Sequence, residues 1–142
     1  KEISRRHPSC RIFLFGGGAK EHAVLNAWCE RYNNCTNASQ ALHSLKEEMV
    51  VMSHLDVMVS MDSGNMHLAA ISGTRVISVW GETHPYAGFL GWNQRPEDCI
   101  QADLPCRPCS IYGNKPCQRG DYACLTSIDP ITIADKVDWI LN

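Results

Sequence analysis

The stretch MVSMDSGNMHLAA, residues 58–70, decides the fold. The apolar run VMVSM (57–61) predicts a buried strand, and residues 65–72 have the pattern of a helix that ends at Gly73, its C′ residue. The polar turn DSG (62–64) lies between the two. The stretch is therefore a β-turn-α unit whose turn carries an acid, a hydroxyl and a flexible backbone.

Two further strands, one of them opening a second β-turn-α unit, flank it along the chain. RIFLF (11–15) predicts a strand buried on both faces, followed by three glycines and a helical pattern at residues 19–32, and RVISVW (75–80) predicts a third buried strand. Strands that alternate with helices pair in parallel, so these three strand ends should share one edge of the sheet, where ligands bind. The predicted class is α/β, a Rossmann-like three-layer sandwich with a mainly parallel sheet.

The rest of the chain is marked by caps and by one irregular segment. Ser44 with Glu47 forms a capping box before a helix, and Asp129 precedes a proline at the start of the last helix. Residues 33–39 favour only a short, weak strand. Residues 103–124 hold four of the eight cysteines and three prolines without periodicity, which predicts an irregular loop within one domain spanning residues 1–142.

Composition narrows the classes of function. With 44% hydrophobic and 20% charged residues, the 142-residue chain is an ordinary globular protein. A net charge of -2 and a pI near 6.3 give no broad basic field for nucleic acid, and no apolar run reaches the roughly 20 residues of a membrane span. The chain begins at Lys1, which predicts a chain truncated at its N-terminus.

The DSG turn has the chemistry of an anion site. Unpaired N–H groups at the start of the following helix, Gly64 among them, would point outward with the positive end of the helix dipole. His67 follows Ser63 by four residues and could donate to a phosphate oxygen or to Asp62. The alternative is a structural turn in which Ser63 or Asp62 only caps the helix.

The motif DSGNMHLAA (62–70) resembles the D-(S/T)-G-x-x-H-x-A-A signature of the heptosyltransferase family of glycosyltransferases. GETHP (81–85) is similar to that family's G-P-(S/T)-x-P loop, and LFGGGAKEH (14–22) resembles its glycine turn. The similarity runs from about Arg11 to the last helix. Glu82 stands where the family usually has proline, which predicts a less rigid loop.

The resemblance implies roles for particular residues. Asp62 would contact the donor sugar, Ser63 and Gly64 its diphosphate, and His67 would support the turn. Two more residues would line the same cleft: Glu21, as a ribose or base contact, and Thr83.

The resemblance also implies a function. The chain would be the C-terminal, donor-binding half of an inverting GT-B transferase that moves a sugar, ADP-heptose being the expected donor, to a lipid-linked saccharide of lipopolysaccharide or another envelope glycan. Helix N-termini would replace a catalytic metal, so no cofactor is required. The catalytic base and a phosphate-binding lysine would lie upstream, so this fragment alone is expected to be inactive. Its location would be cytoplasmic, peripheral at the inner membrane.

The three glycines at 16–18 raise a dinucleotide-binding alternative. Position 21 is Glu21, so G-x-G-x-x-G is not completed, and no G-K-(S/T) follows. A dehydrogenase-like domain would also need an acid at the end of its second strand. The plain alternative is a tight strand-to-helix turn in which Glu21 only complements the helix dipole.

The cysteine pattern C-x2-C-x7-C-x6-C suits four thiolate ligands of a structural zinc ion. The ligands would be Cys106, Cys109, Cys117 and Cys124. Reduced thiols or disulfides are the alternatives, and a zinc-stabilised, non-catalytic interaction module is the rival function. The remaining cysteines are expected to be small core residues: Cys10, Cys29, Cys35 and Cys99.

Aromatic residues follow GETHP in sequence. Tyr86, Phe89 and Trp92 could form a wall of the cleft or anchor a buried loop.

Overall fold

A computed structural model describes residues 1–142, which form two compact units, Lys1–Val51 and Met52–Asn142. Each unit contains one parallel sheet with helices, so the predicted α/β class is confirmed, and it is consistent with a Rossmann-like half of a GT-B enzyme. None of the helices has both the length and the apolar character that crossing a bilayer requires.

The first unit contains a two-stranded sheet. Its elements are α1 (Glu2–Arg6), β1 (Ile12–Leu14), α2 (Gly18–Arg31), β2 (Cys35–Asn37), α3 (Ala38–Ala41) and α4 (Leu45–Met52), the last of which ends at the boundary. β1 pairs with β2 in parallel, with Phe13 opposite Thr36, which confirms the short strand predicted at residues 33–39.

Two expectations for the first strand are wrong. β1 does not join the sheet of the two later strands, because its partner is β2. Its three residues are half-buried rather than buried on both faces, since a two-stranded sheet leaves part of the strand uncovered. The ends of the three apolar strands therefore do not share one sheet edge.

The capping box at α4 forms as predicted in one direction. The Glu47 N–H donates to Ser44 Oγ at 3.2 Å, while the Glu47 carboxylate accepts from the His43 N–H at 2.7 Å instead of from Ser44. Both ends of the motif thus satisfy N–H groups that the helix itself leaves without acceptors.

The second unit is built around a three-stranded parallel sheet in the order β3-β4-β5. Its elements are β3 (Met58–Met61), α5 (Gly64–Ile71), β4 (Val76–Trp80), 3-10 turns at Pro85–Ala87 and Pro96–Asp98, β5 (Cys99–Gln101), α6 (Ala123–Thr126) and α7 (Pro130–Leu141). β5 was not predicted, and Cys99 in it is half-buried.

The core of this unit lies on both faces of β4, all five residues of which are buried. Apolar residues of α5 and α7 cover the strand, among them Met66, Ala70 and Val137. α5 approaches Gly91 so closely that a Cβ there would lie 2.9 Å from the Ala70 Cβ. At its end Gly73 takes φ +89°, which confirms it as the C′ residue.

A buried ion pair fastens the start of β4 to the turn before β5. Arg75 Nε donates to Asp98 Oδ2 at 2.7 Å, and Asp98 is fully buried. Lys136 Nζ lies 3.8 Å from the other carboxylate oxygen, and both cations lie over the Trp139 ring. The hydrogen bonds that Arg75 donates to Asp98 are the main reason why the pKa of Arg75 is raised.

Candidate functional site

The DSG turn and the GETHP loop leave the sheet side by side. β3 and β4 are parallel neighbours with Met61 opposite Val79, and the Asp62 N–H donates to the Val79 carbonyl at 3.3 Å. The chain therefore passes into both loops at adjacent carboxyl ends, as expected for these two strands.

The first turn of α5 is uncapped. Ser63 occupies the N-cap position but makes no side-chain cap hydrogen bond, and its hydroxyl pairs with Ser60 Oγ at 3.1 Å. The N–H groups of Gly64, Asn65 and Met66 have no acceptor within the chain. The alternative of a merely capped turn is therefore not what the structure contains.

The space in front of this turn is open. A Cβ at Gly64 would meet no atom within 4 Å. Asp62 and His67 are half-buried, and neither side chain makes a hydrogen bond or ion pair within the chain. The bond between His67 and Asp62 that the sequence allowed does not form, so both groups can engage a ligand.

The GETHP loop presents further N–H donors. Thr83 is buried, and the N–H groups of Glu82, Thr83 and His84 donate to no atom of the chain. His84 Nδ1 accepts from the Tyr86 N–H at 3.1 Å, which starts the 3-10 turn. Burial, and secondarily the charge of Arg107, lower the pKa of His84.

Glu21 lies in the first unit and is already engaged. Its carboxylate accepts from the Gly17 N–H at 2.7 Å, and a Cβ at Gly16 would lie 2.8 Å from Glu21 Oε2. Gly18 takes φ +78°, a conformation that favours glycine. These contacts are those of the tight turn that the sequence offered as an alternative, and a ribose or base contact of Glu21 stays a prediction.

The four cysteines of residues 103–124 are free thiols. No three His, Cys, Asp or Glu side chains of the chain are arranged so that they could hold a metal ion. Backbone N–H groups, chiefly that of Tyr122, lower the pKa of Cys117, whereas burial raises the pKa of Cys124. The zinc site stays a prediction.

Two other predictions concern side-chain burial. Tyr86 and Trp92 are exposed, so they are not buried loop anchors, while Phe89 is half-buried and lies 5.9 Å from the Tyr112 ring. The remaining cysteines are half-buried and not core residues, because they lie before β1, on α2, on β2 and on the edge strand β5, respectively: Cys10, Cys29, Cys35 and Cys99.

Sequence reasoning missed Arg107. It lies in an irregular segment without periodicity, yet its guanidinium donates to the carbonyls of Gly81 and Thr83. Only its position between two cysteines in PCRPC set it apart, and that spacing says nothing of a contact with residues 81–83.

Comparison with known proteins agrees with the family resemblance of the motifs. Residues 3–118 match the profile of glycosyltransferase family 9 (heptosyltransferase). Two similar proteins, each named lipooligosaccharide heptosyltransferase 2, come from Campylobacter jejuni subsp. jejuni. That of serotype O:2 is 22% identical over 137 residues, 92% of this chain and 41% of the relative. That of serotype O:6 is 21% identical over 135 residues, 91% of this chain and 40% of the relative.

The chain thus spans about two fifths of the length of these curated relatives. No solved structure matches significantly. The family profile, in contrast, covers most of the chain. It runs from the first helix through both strand ends of the candidate site into residues 103–124, the cysteine-rich segment. The chain therefore belongs to glycosyltransferase family 9, the heptosyltransferase family.

Proposed function

We propose that this chain binds the nucleotide diphosphate part of a sugar donor at the start of α5, as the donor-binding C-terminal part of a glycosyltransferase. Gly64, Asn65 and Met66 supply N–H groups to the diphosphate. Asp62 meets the donor sugar, Ser63 contacts the diphosphate beside Gly64, and His67 supports the turn. Thr83 lines the same cleft from the neighbouring strand end.

One observation carries this function: the first turn of α5 has N–H donors without acceptors. An N-cap serine ordinarily satisfies one of them, but Ser63 pairs with Ser60 instead. The helix dipole adds positive potential at the same place, and the absence of a side chain at Gly64 leaves room for a phosphate to reach the amides.

The chemistry follows from that anion site. Sugar transfer breaks the bond between the sugar and the diphosphate, so negative charge accumulates on the leaving phosphate oxygens. N–H groups fixed at a helix start stabilise that charge without rearranging during the reaction. No metal is required for this task. A base that activates the acceptor hydroxyl is expected on the other half of the transferase.

The finer assignment rests on the relatives. Both are named as lipooligosaccharide heptosyltransferases, which supports ADP-heptose as the donor and a lipid-linked saccharide as the acceptor. A transferase with such an acceptor would work at the cytoplasmic face of the inner membrane. Contact of Glu21 with the ribose or base belongs to the same proposal.

An amide NMR titration with ADP tests the site. The signals of Gly64, Asn65 and Met66 should shift first, and NAD at the same concentration should shift them less, because the chain lacks a dinucleotide fingerprint. Shifts that cluster elsewhere, or no shift at millimolar ADP, would contradict the assignment. A stronger response to NAD would favour the dehydrogenase-like alternative.

A further inference from the structure

We propose that Arg107 is a positioning residue that holds the GETHP loop in the conformation in which it meets the donor. The contact of this loop with the donor rests on the proposed function. The conformation of the loop is argued from the contacts of Arg107 and of the surrounding cysteine-rich segment.

Arg107 joins the loop after β4 to the chain after β5. Its Nε–H donates to the Gly81 carbonyl at 2.5 Å and its Nη2 to the Thr83 carbonyl at 2.9 Å. The same guanidinium donates to the Ala102 carbonyl and, at 3.1 Å, to Gln101 Oε1. Because the N–H groups of a guanidinium form a rigid planar fork, one side chain fixes the relative position of both segments.

The carbonyl of Glu82, which lies between those of Gly81 and Thr83, also accepts hydrogen bonds. Glu82 O accepts from the N–H groups of Cys109 and Ser110 at 3.1 and 3.3 Å. Three consecutive carbonyl oxygens, from residue 81 to residue 83, are thus bound by residues 107–110. Every one of these bonds goes to a main-chain atom of the loop.

This pattern sets the direction of the loop's N–H groups. In a planar trans peptide the C=O of one residue and the N–H of the next point in opposite directions. Each N–H group of Glu82, Thr83 and His84 therefore points opposite to a carbonyl that residues 107–110 hold in place. These are the N–H groups that have no acceptor in the chain.

Close packing leaves the loop little room to turn over. A Cβ at Gly81 would lie 3.0 Å from Leu125, a residue of α6. A Cβ at Gly113 would lie 3.5 Å from both Glu82 Oε1 and Thr83 Cγ2, and Gly113 takes φ +67°. The cysteine-rich segment and α6 thus both lie against the loop.

Arg107 acts through the loop and not on the donor. Its four hydrogen bonds go to oxygen atoms of the protein, and burial of the side chain lowers its pKa, as expected for a cation withdrawn from water. The oriented N–H groups of Thr83 and its neighbours lie at the strand end beside α5. A diphosphate can then be met by donors from both strand ends.

Three variants of the chain test this role. Arg107→Met removes the donors and keeps an aliphatic stem, and Arg107→Lys keeps the charge but not the fork. Arg119→Met is the matched control, because Arg119 lies in the same segment and pairs only with the exposed Asp121. Amide hydrogen exchange is measured at Cys109 and Ser110, and ADP affinity by NMR titration.

In Arg107→Met, exchange at Cys109 and Ser110 should accelerate, and ADP binding should weaken roughly tenfold or more, with a smaller loss in Arg107→Lys. Arg119→Met should leave both unchanged. Arg75→Met, which removes an ion pair at the opposite end of β4 from the loop, should lower the Tm without changing the ADP affinity. That separates positioning from general stability.

Unchanged exchange and unchanged affinity in Arg107→Met would overturn the role of Arg107 while leaving the proposed function standing. If the wild-type chain does not bind ADP, the proposed function fails, and the exchange rates alone then decide whether Arg107 holds the loop. If Arg107→Met does not fold, the same two measurements on Arg107→Lys decide whether Arg107 holds the loop.

Discussion

The Ser63 hydroxyl lies 3.1 Å from the Ser60 hydroxyl, although Ser63 is the N-cap residue of α5. An N-cap serine ordinarily accepts from the first turn of its helix. Here Ser60 of β3 engages the hydroxyl, and the first turn of the helix is left with N–H donors that have no acceptor.

Gly64→Ala should separate binding from stability. Its Cβ meets no atom of the chain, so the free energy of unfolding should stay unchanged or rise by up to about 1 kcal/mol. The methyl group occupies the space of an approaching phosphate, so ADP affinity should fall roughly tenfold.

Gly73→Ala is the matched control at the other end of α5. Gly73 takes φ +89°, so the substitution should cost about 1 kcal/mol and leave ADP affinity unchanged. Denaturant unfolding and calorimetric titration measure both quantities. Equal affinities for Gly64→Ala and wild type would place the phosphate elsewhere.

Asp62→Ala should abolish most sugar transfer by a complete transferase that contains this chain, with an unchanged Tm. Asp56→Ala, which replaces an exposed acid just before β3, is the control and should retain activity.

The 142-residue chain alone should transfer no sugar, because losing a general base costs about 10²–10⁴-fold and losing the acceptor's position costs more. Transfer by the chain alone would show that the base is within it, among Asp62, Glu82 and His84.

Zinc, if the four cysteines hold it, should co-purify at about one equivalent per chain from reducing, chelator-free buffer. Chelation should then loosen residues 103–124 and spare the sheet, as judged by amide exchange. A metal content below about a tenth of an equivalent would leave the thiols as packing or redox groups.

Asp98→Ala should destabilise the second unit by about 3 kcal/mol, because it leaves Arg75 and Lys136 beside an apolar site without a carboxylate. Glu97→Ala, on the same turn but exposed, should change stability by less than about 0.5 kcal/mol. Denaturant unfolding compares the two, and similar losses would mean that the ion pair contributes little.

The pKa of His84 should lie below that of a free histidine, because burial and the charge of Arg107 both disfavour its protonated form. Any stability that His84 contributes is therefore fully present above the unfolded-state pKa and is lost as the pH falls through the lower folded-state value. An NMR titration of the ring should show the pKa rising in Arg107→Met. No rise would mean that this guanidinium does not act on His84.

The sequence was most informative where one signal dominated. Val76 to Trp80 is a run that is apolar except at Ser78, and it forms the fully buried central strand. Asp129 caps α7 by accepting from the Ile131 N–H at 2.9 Å, as its sequence position predicted. Such features depend on neighbours in the chain, which a pattern of residues contains.

Sequence reasoning failed where long-range contacts decide. β5 is only three residues long, CIQ, so its pairing with β4, and not its composition, makes it a strand. The partner of β1 could not be read from RIFLF, because an apolar run does not specify which strand it joins. The bonds from Arg107 to carbonyl groups 24 and 26 residues away leave no periodic trace.

The hydrogen bonds to the main-chain carbonyls of residues 81–83 have a consequence for which substitutions this loop can accept. Every amino acid offers the same carbonyl oxygen, so a substitution at Glu82 leaves both bonds to that oxygen in place, and proline, which the family pattern favours there, would keep them too. The side chains of the loop are thus uncoupled from its anchoring. Libraries aimed at altered sugar preference should randomise position 82 and leave the cysteine-rich segment untouched.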